Sequence, residues 1–301
     1  MGEDPVRQFR LGLVRPGPLH ACLLRVATGL LAAWPVVPAQ AQNLDLIEEY
    51  REDYGQDGPE TEYEDLRKGI RPPWTFQMRF AGDWRSNRYA AEQNPRPAST
   101  LVPDISLWRR WNVGGLRLFT EAGAIAPTSL THARLDSSAL FATVELEGGA
   151  PGDGLVPYAA WEPWRAYNGT FQSHAVTFHT FSAGLRRSWG PTFADLYIRR
   201  QEATIDVAER SSLGLTAFHN FPLGAGVLNL RGEIEGRRFD WRPGGREKQL
   251  RARARLRAVV PLADAVDFQL TADLHRTESN LPGRSFTNLI VGPTILARIG
   301  F

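Results

Sequence analysis

Four arginines in alternate positions form the densest cluster of chemistry in this chain. Residues 249–260 read QLRARARLRAVV, with Arg251, Arg253, Arg255 and Arg257 on one parity and Leu250, Ala252, Ala254, Leu256, Ala258 and Val260 on the other. Period two is the repeat of a β-strand, whose successive side chains point to opposite faces, and it is wrong for a helix. A strand here lifts four guanidinium groups up one face at steps of about 6.6 Å. Arginine stays charged at any ordinary pH and grips carboxylate or phosphate through two parallel N–H donors. Two roles fit such a row. It is a track that hands an anion from site to site, or a brace neutralised by neighbouring carboxylates. The preceding segment offers Arg231, Glu233 and Glu235 on the matching parity, and the following segment offers Asp267 and Asp273, so both roles stay open.

Other reactive groups are scattered. His219 shares the parity of Leu213, Leu215 and Ala217 and lies near Phe221; His179 and Ser182 fall on opposite parities of one segment; His174 follows Ser173 in a polar stretch. No nucleophile, base and orienting group fall together by spacing, so no catalytic residue is assigned. A membrane-embedded lipid hydrolase stays a lesser alternative. The spacing of His, Cys, Asp and Glu matches no metal site, and there is no glycine-rich phosphate loop, so no metal and no cofactor are expected. The one cysteine, Cys22, lies in a segment expected to be removed, which leaves a mature chain without thiol or disulfide.

The elements that would position the arginine row begin late in the chain. The 301 residues carry a formal net charge of +2, with 43% hydrophobic and 23% charged residues. That near balance argues against a nucleic-acid binder, which needs a basic face. Lysine occurs only at Lys68 and Lys248; a GC-rich genome gives the same preference for arginine. Residues 23–41 read LLRVATGLLAAWPVVPAQA: an apolar run from Val26 to Val37, preceded by Arg7, Arg10, Arg15 and Arg25 and ending in Ala39-Gln40-Ala41. This is the pattern of a signal peptide cut before Gln42, too short and too broken by Pro35 and Pro38 to span a bilayer. Residues 42–72 are polar and acidic and read as a periplasmic lead-in.

From residue 73 the pattern becomes alternating. In WTFQMRFAGDWR, Trp74, Phe76, Met78, Phe80, Gly82 and Trp84 share one face, and Thr75, Gln77, Arg79, Asp83 and Arg85 the other. A strand tilted by about 40° sets its two terminal indoles about 25 Å apart along the barrel axis, the height of the apolar band that aromatic girdles flank. Eleven further strands follow at roughly 101–111, 115–125, 137–148, 154–163, 175–188, 192–203, 210–221, 227–239, 249–261, 264–276 and 286–301. Short turns at 112–114, 189–191, 222–226 and 261–264 alternate with longer polar loops near 86–100, 126–136, 164–174, 203–210, 240–248 and 277–285. The stretch 148–154 breaks the alternation. Lipid satisfies no backbone N–H or C=O, so a spanning sheet has to close on itself, with its polar face inward. The expected fold is all-β: a closed antiparallel transmembrane up-and-down barrel of about twelve strands, with a narrow lumen.

The final segment, FTNLIVGPTILARIGF, sets Leu289, Val291, Ile295, Ala297, Ile299 and Phe301 on one parity, with Ile290 and Leu296 as impurities on the other. A last strand ending in Phe301 resembles the C-terminal signal of bacterial outer-membrane β-barrels. That resemblance implies closure against the first strand and recognition by the outer-membrane assembly machinery. Trp84-Arg85-Ser86-Asn87, a loop, then Leu101-Val102-Pro103-Asp104 resembles the first hairpin of porin-like and exopolysaccharide-associated barrels. A twelve-strand barrel with inner arginines is also similar in architecture to acidic-oligosaccharide porins. These likenesses imply residence in the outer membrane of a Gram-negative bacterium, among outer-membrane lipid. They imply a narrow channel for small anionic solutes or acidic saccharides through an Arg-lined lumen. A non-conducting barrel serving polysaccharide export, assembly or adhesion is the alternative.

Overall fold

The computed structural model describes residues 74–87, 95–131, 136–148, 154–242 and 245–301. The expected signal peptide and acidic lead-in lie outside these residues. Among them run thirteen strands: β1 Thr75–Arg85, β2 Ala98–Val113, β3 Leu116–Ile125, β4 Thr128–Ser129, β5 Ser137–Gly148, β6 Leu155–Asn168, β7 Ser173–Trp189, β8 Thr192–Ala203, β9 Arg210–Leu223, β10 Gly226–Arg242, β11 Gly245–Ala263, β12 Val266–Ser279 and β13 Phe286–Gly300. Twelve of them form one antiparallel ring, closed because β1 pairs with both β2 and β13. The two-residue β4 only extends the pairing of β2, opposite Thr100 and Leu101. At the seam, Trp74 and Phe301 exchange backbone hydrogen bonds of 3.2 and 3.0 Å. The ring therefore has no open edge, which is what a sheet surrounded by lipid requires.

Alternation in the sequence becomes inside and outside in the ring. Along β1, Thr75, Gln77, Arg79, Ala81, Asp83 and Arg85 are buried, while Met78, Phe80 and Trp84 are exposed. The same division recurs around the circumference. Ile105, Leu107, Val144, Leu146, Phe181, Leu196, Leu213, Leu230, Leu256, Leu270 and Ile295 all stand exposed on the outer wall. A continuous apolar belt of this size is untenable in water and stable in hydrocarbon. This barrel is a transmembrane one.

The loop expectations need correction. β10 runs on to Arg242 and β11 starts at Gly245, so most of the stretch 240–248 is strand and not a long loop. The stretch 164–174 shrinks to residues 169–172, and β12 runs on to Ser279. Beyond the apolar belt both faces of a strand meet water, so polar composition there does not mark the end of hydrogen-bonded pairing. The longest connections, 86–97 and 126–136, still lie with 204–209 and 280–285 at one end, and 149–154 is the long one at the other. The connection 149–154 is longer than the one between β10 and β11 at the opposite end.

The inner face is also less polar than expected. Val102, Ile125, Ala139, Phe141, Trp164, Ala166, Val176 and Phe178 are buried together with Ala81 and Ala208 in one apolar cluster. It sits inside the barrel, at the end away from Trp74 and Phe301. Phe141 and Trp164 stack there at 5.0 Å and 18°. Ala208 belongs to a 3-10 turn, Asp206–Ala208, which Gln201 ties down through Nε2 donating to the Ala208 carbonyl at 2.9 Å. A barrel this narrow fills with side chains, and part of the filling is an ordinary hydrophobic core. Ile290 and Leu296, the two impurities of the last strand, are buried in the inner wall as well.

Three inner-wall glycines stand directly across from aromatic residues: Gly123 from Phe141, Gly184 from Tyr158 and Gly214 from Tyr197. A Cβ on Gly214 would come within 2.4 Å of the Tyr197 ring. Each ring lies over its neighbour's missing side chain and is held flat against the wall.

Candidate functional site

The lumen between β1, β11, β12 and β13 holds the arginine row. Arg251, Arg253 and Arg255 are buried, and Arg257 is partly so. Asp273 on β12 is clasped by two of them. Arg253 Nε donates to both carboxylate oxygens at 2.9 and 2.8 Å, its Nη2 donates to Oδ2 as well, and Arg255 Nε donates to Oδ2 at 2.7 Å. These side chains are only 2–4% exposed. The β11–β12 register sets Arg255 across from Asp273 and Arg253 across from His275, so one carboxylate serves two steps of the row.

The remaining acids named from the sequence find arginines close by. Glu233 meets Arg231 at 3.4 Å, and Glu235 accepts from Arg237 Nε at 2.6 Å and lies 3.7 Å from Arg199. Asp267 accepts from Arg298 at 2.6 Å across the β12–β13 pair. β1 and β2 add a pair the sequence reading left out, Arg79 to Asp104 at 2.7 Å, and Arg85 holds Asp83 within its own strand at 2.9 Å. Between these walls lies a polar cavity of about 40 Å³, lined by Arg79, Asp83, Arg253, Arg255, Arg257 and Asp273, with Gln269, Thr271, Thr294, Ile290 and the backbones of Gly82 and Gly292. A volume of that size holds two or three waters.

The far wall has its own cluster. Arg186 on β7 donates to Glu145 at 2.5 and 2.9 Å and to Glu147 at 2.8 Å, and it lies 3.5 Å from Asp195. Its guanidinium stacks 3.6 Å from the Tyr158 ring, whose hydroxyl donates to Asp195 at 3.0 Å. Arg117 meets Glu147 at 2.8 Å. The sequence carried a signal for these residues, because each sits on the inward parity of its strand.

The aromatic residues named from the sequence face outward. Trp84 is exposed, and Trp74 packs edge-on against Trp111 at 6.1 Å with the Arg109 guanidinium 3.5 Å from the Trp111 ring. The Phe301 side chain is exposed at the seam. Of the histidines, His219 lies 2.7 Å from the Thr192 hydroxyl and 4.4 Å from the Phe221 ring, and His179 stacks on Trp161 at 6.0 Å. His174 pairs with Thr177 at 3.0 Å. His275, on the inward parity of β12, is buried in the lumen with Phe286 edge-on at 5.7 Å.

No protein-family model and no curated protein matches the chain. Solved structures match in fold. An outer membrane channel from Pseudomonas putida F1 is similar over 76% of this chain and 96% of that one, with a TM-score of 0.51 and 11% identity. The β domain of the Bordetella autotransporter BrkA covers 76% of this chain and 100% of its own, at TM-score 0.41 and 12% identity. The KdgM porin, in complex with disordered oligogalacturonate, covers 72% and 97%, at TM-score 0.42 and 7% identity. The first of these likenesses is one of fold: the closed antiparallel barrel of an outer-membrane channel.

Proposed function

We propose that the protein is an outer-membrane channel of narrow bore that passes small anions along the arginine-bearing side of its lumen. The observation that supports this reading is the wall of the polar cavity. It carries four arginines, Arg79, Arg253, Arg255 and Arg257, against two aspartates, Asp83 and Asp273, a formal excess of two positive charges. In a lumen of low effective dielectric, such an excess favours an anion far more than it would in water. The cavity's volume suits a carboxylate or a small inorganic anion. The outer belt and Phe301 fit a partner set of outer-membrane lipid and the barrel assembly machinery. The reading gives no catalytic task to His219 or the other histidines.

The apolar cluster at the mouth favours a second reading, a closed barrel that works through its rim in envelope assembly, adhesion or polysaccharide export. Planar-bilayer conductance separates the two. The first reading expects single-channel steps with a reversal potential on the anion side, moved toward cations by Arg253→Glu with Arg255→Glu. Silence from a correctly folded wild-type barrel would reject it in favour of the second.

A further inference from the structure

Outward-facing residues follow a fixed order at the end of the barrel away from Trp74 and Phe301. On β8 the outward series runs Ile198, Arg200, Glu202, and on β12 it runs Leu274, Arg276, Glu278. On β10 it runs Ile234, Gly236, Arg238, Asp240, and on β11 Leu250, Lys248, Arg246. Ile198, Ile234, Leu250 and Leu274 are 50–60% exposed, so these series face the surroundings and not the lumen. On all four strands the first charge beyond the apolar belt is a cation, and any carboxylate stands farther out. Two residues of a strand tilted by about 40° rise about 5 Å along the barrel axis. The cations therefore lie one such step above the last exposed apolar side chain, or two on β10, in the layer just beyond the hydrocarbon.

The register joins these cations into a ledge. Arg238 stands opposite Lys248 on β11 and opposite Ser211 on β9, and Ser211 in turn stands opposite Arg200 on β8. Arg200 Nη1 donates to the Ser211 hydroxyl at 3.3 Å. Arg238 and Arg276 keep 54% and 64% of their side chains exposed despite their contacts with Asp240 and Glu278. Among the described residues Lys248 makes no ion pair. On β10, β11 and β12 the ledge sets Arg238, Arg246, Lys248 and Arg276 against Asp240 and Glu278, a formal excess of two positive charges. The same end of β13, β1 and β2 is different: Thr287, Ser86 and Ser99 follow Leu289, Trp84 and Leu101 there. A rim that only had to stay wet is served by such hydroxyls, so a cationic arc confined to one side calls for an anionic partner.

This end carries the longest connections, 86–97 and 126–136, and in outer-membrane barrels the long loops are extracellular. The leaflet that meets it is glycolipid, whose acylated disaccharide bears phosphates at the hydrocarbon boundary. We propose that the β8–β12 ledge is a binding site for this phosphorylated glycolipid. Its acyl chains lie along the exposed Ile198, Leu213, Ile234 and Leu250, and a phosphate sits on Arg238 and Lys248, with Arg200 and Arg276 on either flank for a second. Guanidinium and ammonium groups hold phosphate oxygens by charge-assisted hydrogen bonds. Cations spread along an arc favour a lipid with more than one phosphate over a glycerophospholipid with one. The proposal rests on reading the barrel as an outer-membrane one with this end outward, and not on conduction or on the arginine cavity.

The test adds diphosphoryl lipid A to the full chain folded in detergent, with EDTA present, and reads bound lipid by native mass spectrometry. Wild type retains lipid A against a tenfold excess of phosphatidylglycerol and binds monophosphoryl lipid A at least fivefold more weakly. Arg238→Gln with Lys248→Gln lowers lipid A binding at least tenfold, and Arg200→Gln with Arg276→Gln lowers it as an independent pair. Lys248→Arg keeps it, and so does Arg165→Gln, which removes an exposed cation on β6 away from the ledge. If phosphatidylglycerol displaces lipid A at equal concentration, or if both double variants bind like wild type, the ledge is a wetted rim and the proposal is wrong. Labelling of Pro282→Cys on intact cells by an impermeant maleimide reports the orientation; protection from the label overturns the proposal. If lipid A binding follows the ledge while planar bilayers stay silent, the ledge stands and the channel reading fails.

Discussion

Replacing Asp273 by Asn tests whether the arginine row is held by one carboxylate. The substitution keeps the shape of the side chain and removes its charge. In the wild type that charge lies against two guanidinium groups, with N–O distances of 2.7 to 2.9 Å and almost no exposure. Each contact is worth about 4 kcal/mol at ~4 Å between charge centres and an effective dielectric of ~20. Desolvation of the carboxylate opposes the pair of contacts by several kcal/mol. Removing one partner nevertheless strands the others, and breaking a buried pair costs about 3–5 kcal/mol. Asp273→Asn should therefore lower unfolding stability by ~3–5 kcal/mol, measured by reversible urea unfolding from lipid vesicles. Arg253→Gln in the same background should recover part of that loss, giving a coupling of ~1.5 kcal/mol or more in a double-mutant cycle. An Asp273→Asn barrel within ~1 kcal/mol of wild type, or a coupling below ~0.5 kcal/mol, would refute the clasp. The same variant carries a second readout. With the excess of positive charge enlarged, anion preference in conductance should rise.

Three further outcomes follow from other parts of the molecule. Arg186→Gln leaves Glu145, Glu147 and Asp195 crowded without their shared cation, and should destabilise the barrel by ~3 kcal/mol in the same urea assay. Trp164→Ala removes half of the stacked pair from the mouth cluster; it should cost ~3–5 kcal/mol and raise single-channel conductance if that cluster is what narrows the bore. Removal of Phe301 deletes the backbone partner of Trp74, and should lower the yield of folded, heat-modifiable barrel in cells while leaving in-vitro refolding into detergent measurable.

Much of this architecture was legible in the sequence because one physical rule, apolar outside and polar inside, writes itself at period two. The strands 137–148 and 192–203 read from alternation coincide with β5 and β8. The rule fails where its premise fails. Above the apolar belt, residues such as Arg238 and Lys248 sit across from each other in a ladder whose two faces both meet water, so the alternation fades and strand reads as loop. Inside the mouth the premise fails in the other direction. Val102, Ile125, Val176 and Phe178 are apolar yet inward, because packing fills a narrow lumen and leaves water only in part of it. Partner choice was the least legible feature. Parity places Asp267 and Asp273 inside alike, but register and side-chain reach give Asp273 to the arginine row and bring Arg298 onto Asp267, and neither quantity is visible along one strand alone.

The three glycine–aromatic pairs of the inner wall carry one more consequence. A ring folded sideways into a recess takes up circumference instead of diameter, so the free cross-section near Tyr158 and Tyr197 is governed by residues that contribute no atoms to it. Giving Gly184 or Gly214 a side chain would swing a phenol toward the axis, and the passage would constrict without any change to the residues that appear to line it.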